Sequence, residues 1–297
     1  MKKLIGISIF NLQSIYGDSE ALEIAKQIGA DAVDFSLDTQ TVLNENSIYS
    51  KSDEEICNYY TNIKNKADEL GIIISQTHGR LRVFFNDPVK DEAVFRDARI
   101  DCMVSKILGA PYTVMHAIAT TITGPDAESD YMHKVYYDTF SKILPYAKQY
   151  GVKIAVETMG DAPIYGCCDF FGVLSEFKTA FDRIYSEDDN KDYFCCCIDT
   201  GHVNKAMRFG NPTPAEFIRA MGSSVKCLHI NDNNTLKDQH KPPMTGVIDW
   251  NDVLSALDEI GYDGVYNLEL NLKHFGDGFE KETAEFSVKL LNHMINK

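Results

Sequence analysis

The sequence predicts a closed (β/α)8 barrel filling residues 1–297 as one domain. Short β-branched apolar runs alternate with amphipathic helical patterns, and the alternation repeats eight times. The runs are almost continuously apolar, as a parallel sheet covered on both faces requires. Eight such units in 297 residues also fit the usual barrel length of ~250 residues or more. An open doubly wound sheet is the structural alternative, because strand order is not written in one sequence.

The elements follow in order. "LIGISIF" (4–10) is read as the first strand and "DSEALEIAKQIG" (18–29) as a helix with apolar residues at helical spacing. "AVDFSL" (32–37) and "DEEICNYYTNIKNKADELG" (53–71) make the second unit, its helix closed by Gly. "IIISQTH" (72–78) and "YTVMHAI" (112–118) are the third and fourth strands. "KVYYDTFSKILPYAKQYG" (134–151) leads into strand five, "KIAVET" (153–158). "YFCCCID" (193–199) and "VKCLHIN" (225–231) are strands six and seven. "DWNDVLSALDEIG" (249–261), "VYNLEL" (265–270) and "EKETAEFSVKLLNHMIN" (280–296) finish the set. No Pro-, Gly- or Ser-rich linker divides the chain.

With 44 acidic against 29 basic residues, the net charge is −15. That argues against binding to nucleic acid or to an anionic membrane surface. "KKLIGISIF" (2–10) imitates a signal peptide, but its apolar run is short and no small-x-small site follows, so it reads as a strand. No run approaches the ~18 apolar residues of a membrane span. Eight cysteines without framework spacing point to a reducing, cytoplasmic location.

Ligand-type side chains gather at strand ends. His78 ends strand three, His116 lies near the end of strand four, and Glu157 ends strand five. Asp199, His229 and Glu269 close strands six, seven and eight. His202 is placed in the loop after strand six, and Asp238 and His240 in the loop after strand seven. In a barrel these ends meet at one mouth. Crowded carboxylates there would each cost several kcal/mol without a compensating cation, so a divalent metal is expected.

The three consecutive cysteines Cys195, Cys196 and Cys197 are not read as ligands. Successive strand residues point to opposite faces, and no C-x2-C pair occurs in the chain. They are read as small apolar packing residues, as are Cys167 and Cys168. Asp199 and His202 are three apart, and Thr200-Gly201 is expected to make the turn that brings both to one cavity.

With "VET" (156–158), "DTGH" (199–202), "HIND" (229–232), "DQH" (238–240), "GVIDW" (246–250) and "LEL" (268–270) in order, the chain resembles the xylose-isomerase-like TIM barrels. That superfamily includes sugar isomerases, ketose 3-epimerases, inosose dehydratases and endonuclease IV. The resemblance implies a four-ligand metal site on Glu157, Asp199, His229 and Glu269, with His202 contacting substrate. The fuller metal set of endonuclease IV would add His78, His116, His202, Asp238 and His240. Two departures set the chain apart from the ketose 3-epimerases: "TMGDAPIYG" follows Glu157 where they carry Asn-Arg, and no Arg follows the strand-seven His.

The expected activity is a metal-dependent isomerisation or epimerisation of a sugar, sugar phosphate or related polyol. Mn2+, Co2+, Zn2+ or Mg2+ would suit the ligands. Glu157 and Glu269 would exchange protons with substrate through an enediolate. His78 and His116 are further substrate-binding candidates. In "GRLRVFFND" (79–87), Arg80 and Arg82 are expected to hold a substrate phosphate or carboxylate, and Phe84 or Phe85 to stack on a sugar face. The expected partner is a small carbohydrate, not a membrane or nucleic acid, and the chain is compatible with a homo-oligomer. Metal-dependent hydrolysis of abasic DNA is the alternative activity.

Overall fold

The apolar runs become eight parallel strands of one sheet in the computed structural model, which describes residues 2–296. Along the chain they are β1 (Ile5–Ser8), β2 (Ala32–Ser36), β3 (Ile73–His78), β4 (Tyr112–His116), β5 (Lys153–Glu157), β6 (Phe194–Asp199), β7 (Val225–His229) and β8 (Tyr266–Leu268). In the sheet, β8 lies beside β1 and the others follow in sequence order to β7. The two ends meet just past β7. There the Ile230 N–H donates to Asn267 O at 2.8 Å and the Glu269 N–H donates to Ile230 O at 3.1 Å. The sheet therefore curls into the expected (β/α)8 TIM barrel and not an open doubly wound sheet.

The helices around it are α1 (Phe10–Tyr16), α2 (Asp18–Gln27), α3 (Asp53–Leu70), α4 (Pro88–Leu108), α5 (Thr120–Thr123), α6 (Ser129–Tyr150), α7 (Leu174–Tyr185), α8 (Thr200–Ala206), α9 (Pro214–Met221), α10 (Trp250–Glu259) and α11 (Glu280–Ile295). Their ends follow local chemistry. Ser52 and Glu55 form a reciprocal capping box at the start of α3, and Gly71 closes it in the left-handed region. Asp87 caps α4 ahead of Pro88, whose missing N–H costs nothing at a first helical position.

Strict alternation of strand and helix is broken in several places. Two helices separate β1 from β2, and α8 and α9 both follow β6. A short antiparallel hairpin pairs Asp161–Ala162 with Cys167–Cys168 after β5. No helix follows β7 until α10. Most of these departures extend the loops at the C-terminal ends of strands, where barrel enzymes build their sites.

The cysteines pack as the alternation of strand faces requires. Cys195, Cys197 and Cys227 meet Val114 and Ala155 inside the barrel. Cys196 points the other way, into the layer between strands and helices. Burial pushes the Cys196, Cys197 and Cys227 thiols above their usual range, which disfavours the thiolate needed for ligation. Among the described residues, no helix is long and apolar enough to cross a membrane.

Candidate active site

Each of His78, His116, Glu157, Asp199 and His229 is the final residue of its strand, and Glu269 stands one residue past β8. Register levels them: His116 pairs with Glu157, and Asp199 with His229. A bulge between Cys196 and Cys197 shifts β6 against β7 just before the second of these pairs. Glu157 is the hub. Its carboxylate lies 3.4 Å from His78 Nε2, 3.2 Å from His116 Nε2, 3.3 Å from His202 Nδ1 and 3.2 Å from His229 Nδ1. Glu269 lies 3.6 Å from His78, 3.4 Å from His229 and 3.6 Å from His240, and Asp238 lies 3.6 Å from His202. All nine side chains singled out at the strand ends thus converge.

Neighbours fix which face each imidazole presents. A carbonyl only accepts, so Thr158 O at 3.0 Å fixes the proton on His202 Nδ1, and Glu269 O at 3.1 Å fixes it on His240 Nδ1. The Nε2 atoms of both rings then turn toward Asp238. Asp34, in the middle of β2, sits 2.9 Å from His229 Nε2 and leaves Nδ1 facing Glu157 and Glu269. Asn231 donates to Asp199 Oδ2 at 2.9 Å. Histidine ligands of metals are typically oriented by such outer partners.

The donor set fits a divalent cation. One ligand atom each from Glu157, Asp199, His229 and Glu269 lies within 4.8 Å of the others, and the same holds for Asp199, His202 and His240. Both oxygens of Glu157 and the Nδ1 atoms of His229 and His78 are buried with no hydrogen-bond partner among the described residues. Orphaned buried atoms of this kind are rare, and each one requires compensation.

Charge is shared unevenly. Burial raises Glu157, but the His229 and His116 rings outweigh it and hold the carboxyl well below its usual range. Burial, reinforced by the charge of Glu157, pushes Glu269 up to about 7. Burial opposes charge on His78 and His240, yet Glu157 and Asp238 respectively, each assisted by Glu269, lift both rings to about 9. On His116 burial wins, and its pKa falls.

Residues 22–292 match the family described as Xylose isomerase-like TIM barrel. The chain belongs to this family. A relative from Methanocaldococcus jannaschii, the uncharacterized protein MJ1311, is 31% identical over 209 residues, which are 67% of this chain and 66% of that protein. The chain thus spans just under two thirds of that relative's length. The inosose isomerase of Bacillus subtilis is 26% identical over 215 residues, 70% of each chain. A D-tagatose 3-epimerase-like protein shares the fold with a TM-score of 0.73 at 21% identity, over 99% of this chain and 97% of its own. The IOLI protein, solved with a zinc atom, does so at 0.70 and 18%, over 98% and 96%.

Within this xylose isomerase-like barrel, a cavity of about 370 Å3 opens above the cluster. Glu269, His78, Asp238 and His240 line it, whereas Glu157, His116 and His202 do not. Eight more lining positions went unrecognised in the sequence, among them Ser8, Asn11, Ser36 and Asn271.

Three expectations are corrected. His202 lies in the first turn of α8 and not in a loop, because the Asp199 side chain accepts the His202 N–H and caps that helix. Gly201 is therefore helical; it is needed for space, since a Cβ there would overlap the Asn231 side chain. Arg80 does not line the cavity above the cluster. Its five donors are spent on Asp101, Asp97 and the carbonyls of Leu37 and Gln40. Phe84 and Phe85 pack against the core.

The "GVIDW" stretch has a structural role. Trp250 Nε1 donates to Asp232 at 2.9 Å, and Gly246 lies against the same carboxylate. Lys241 and Asp232 exchange backbone hydrogen bonds at 2.9 Å. Together these fasten the loop that presents Asp238 and His240.

Proposed function

We propose that the protein is a divalent-metal-dependent isomerase or epimerase of a sugar or related polyol. The observation that carries this reading is the buried, hydrogen-bond-free carboxylate of Glu157 beside Asp199, His229 and Glu269. The inosose isomerase relative and the epimerase-like fold neighbour support the substrate class.

Glu157, Asp199, His229 and Glu269 would hold the ion, with His202 and His240 as further ligands beside Asp199. A bound divalent ion supplies Lewis acidity to adjacent substrate oxygens. The chain's own residues do the rest. Glu269 faces the cavity and is placed for proton transfer at the carbon next to a carbonyl. Glu157 lies deeper and stays ionised. Glu157 and Glu269 are the acid/base pair of this reading, one taking the substrate proton and the other returning it. His78 lines the same cavity and is placed to hold a substrate hydroxyl.

The second group, Asp199 with His202 and His240, favours a site with more than one ion and is what keeps the nuclease reading in view. Against it, three carboxylates (Asp38, Asp238 and Glu269) line the cavity and would face a DNA backbone. The test is turnover of a ketose and inosose panel by protein loaded with Mn2+, Co2+, Zn2+ or Mg2+, run beside an abasic duplex. Isomerised sugar is the expected outcome. Nicked DNA with no sugar product would replace this reading.

A further inference from the structure

One wall of the cavity is built by Ser36, which pairs in register with His78 of the cluster, and by the segment after β2. Asp38 lines the cavity there, and Ser36 donates its hydroxyl to Asp38 Oδ1. The other carboxylate oxygen, Oδ2, makes no hydrogen bond among the described residues. The loop is not free to carry Asp38 away. Arg80 donates to Leu37 O and to Gln40 O, both at 2.6 Å, and so brackets Asp38 and Thr39. Asp97, beside Arg80, accepts the Val42 N–H at 2.8 Å, and Tyr49 donates to Asp101 at 2.7 Å. A buried guanidinium with every donor engaged thus holds a cavity carboxylate in place.

Apart from His78 and His240, which belong to the ligand cluster, the rest of the lining is neutral or acidic. Ser8, Asn11 and Asn271 offer hydroxyl and amide groups, and Phe10 offers an exposed ring. Among the described residues, no lysine or arginine lines this cavity. Arg80, Arg82 and Lys90 line an adjoining cavity of about 470 Å3, and the walls common to both are Asp38 and Leu81. An anionic group reaching for those cations from the metal cluster would pass Asp38.

We infer that Asp38 is a specificity-determining residue that selects uncharged polyhydroxy substrates over their phosphorylated or carboxylated forms. Its free oxygen accepts substrate hydroxyls, and its charge repels anions. Arg80 is a positioning residue for it. This inference rests on the reading of the cavity as a sugar site and narrows that reading to neutral sugars and polyols.

The test is calorimetric binding to Mn2+-loaded protein of D-fructose and D-tagatose against D-fructose 6-phosphate and D-tagatose 6-phosphate, with kcat and KM measured in parallel. The neutral member of each pair is expected to bind at least about 100-fold tighter, because a like-charge juxtaposition is strongly unfavourable. Asp38→Asn keeps the shape and removes the charge. It is expected to raise Kd and KM for the neutral sugar about tenfold, the scale of a hydrogen bond to a charged group, with a smaller effect on kcat. The preference over the phosphate should narrow in the same variant. Ser36→Ala, which releases Asp38 without replacing it, should shift Kd in the same direction by less, and it serves if Asp38→Asn does not fold. Equal or tighter binding of the phosphates, no binding of either class, or unchanged Kd in both variants overturns the inference. A clear preference for neutral sugars without any turnover upholds it and rejects the isomerase reading.

Discussion

His229 Nδ1 and Glu157 Oε1 face each other across 3.2 Å, and neither has a hydrogen-bond partner among the described residues. Both side chains are wholly buried, and Asp34 holds the opposite nitrogen of the same ring at 2.9 Å. The His78 ring stacks on His229 with centroids 5.1 Å apart, so two full positive charges would sit face to face if protons alone balanced the carboxylates. A single cation between these donors satisfies them together.

Metal should therefore be bound tightly. Purified protein is expected to contain at least one divalent ion per chain, and chelation should lower its melting temperature. At an ion concentration 100 times Kd, the stabilisation is about 2.7 kcal/mol. Elemental analysis beside thermal unfolding measures both. A metal-free protein whose melting point ignores Mn2+, Co2+, Zn2+ and Mg2+ would remove the ligand assignment.

Asp34 should matter nearly as much as a ligand. Asp34→Asn keeps the size of the side chain but loses the charge that orients His229. Loss of such an outer partner typically costs 10–100-fold in metal affinity. A competition titration with a fluorescent chelator reads this directly. An affinity within twofold of the original would mean that Asp34 does not set the ring.

The strands and the convergence of nine side chains were legible because both depend on local pattern: apolar runs, and polar residues placed at their ends. Asp34 was not legible. Its partner is 195 positions away, and an acid inside "AVDFSL" signals only that some partner exists. The bulge at Cys196 and Cys197 was equally hidden, since it is a property of two paired strands. The partners of Arg80 were hidden because a charged residue after a strand reads as free to bind an anion until the Asp97 and Asp101 of a neighbouring helix are seen around it. Helix α8 was missed because Thr-Gly reads as a breaker, whereas Asp199 supplies the cap and Asn231 the reason for the glycine.

Stability of the metal-stripped protein should fall as pH rises. His78 and His240 move from 6.5 to about 9, and Glu269 from 4.5 to about 7. Each binds its proton more tightly in the fold, so each adds stability below its unfolded pKa and loses it as pH climbs through the folded one. The loss should run from about pH 5 to 7 for Glu269 and from about 6.5 to 9 for the two rings. Metal replaces these protons, so the melting-point gain on adding metal should widen over the same range. A gain that is flat from pH 6 to pH 9 would contradict this account of the site.

The cysteines should report on packing alone. Cys195→Ala, Cys196→Ala and Cys197→Ala are each expected to keep full metal content while losing about 1–3 kcal/mol of stability, the usual range for a core substitution. Denaturant unfolding and elemental analysis on the same samples separate the two effects. Stoichiometric metal loss in any one variant would make that thiol a ligand.

The last prediction separates the reaction classes. Glu269 opens to the cavity, so Glu269→Gln should preserve much of the shape of the site and abolish its proton transfer. General acid–base contributions are typically ~10²–10⁴-fold, and turnover should fall by at least the lower figure. Gln is also a poorer ligand than a carboxylate, so metal content has to be measured on the same sample and the rates compared at equal loading. Wild-type protein should exchange a carbon-bound substrate proton with deuterated water, and the variant should not. Isomerisation without exchange would point to hydride transfer and reject the proton-transfer role of Glu269 while keeping the isomerase. Metal-dependent nicking of abasic duplex, with no turnover across the sugar panel, would reject the isomerase itself, because the same carboxylate would then be serving a phosphodiester and not a carbon acid.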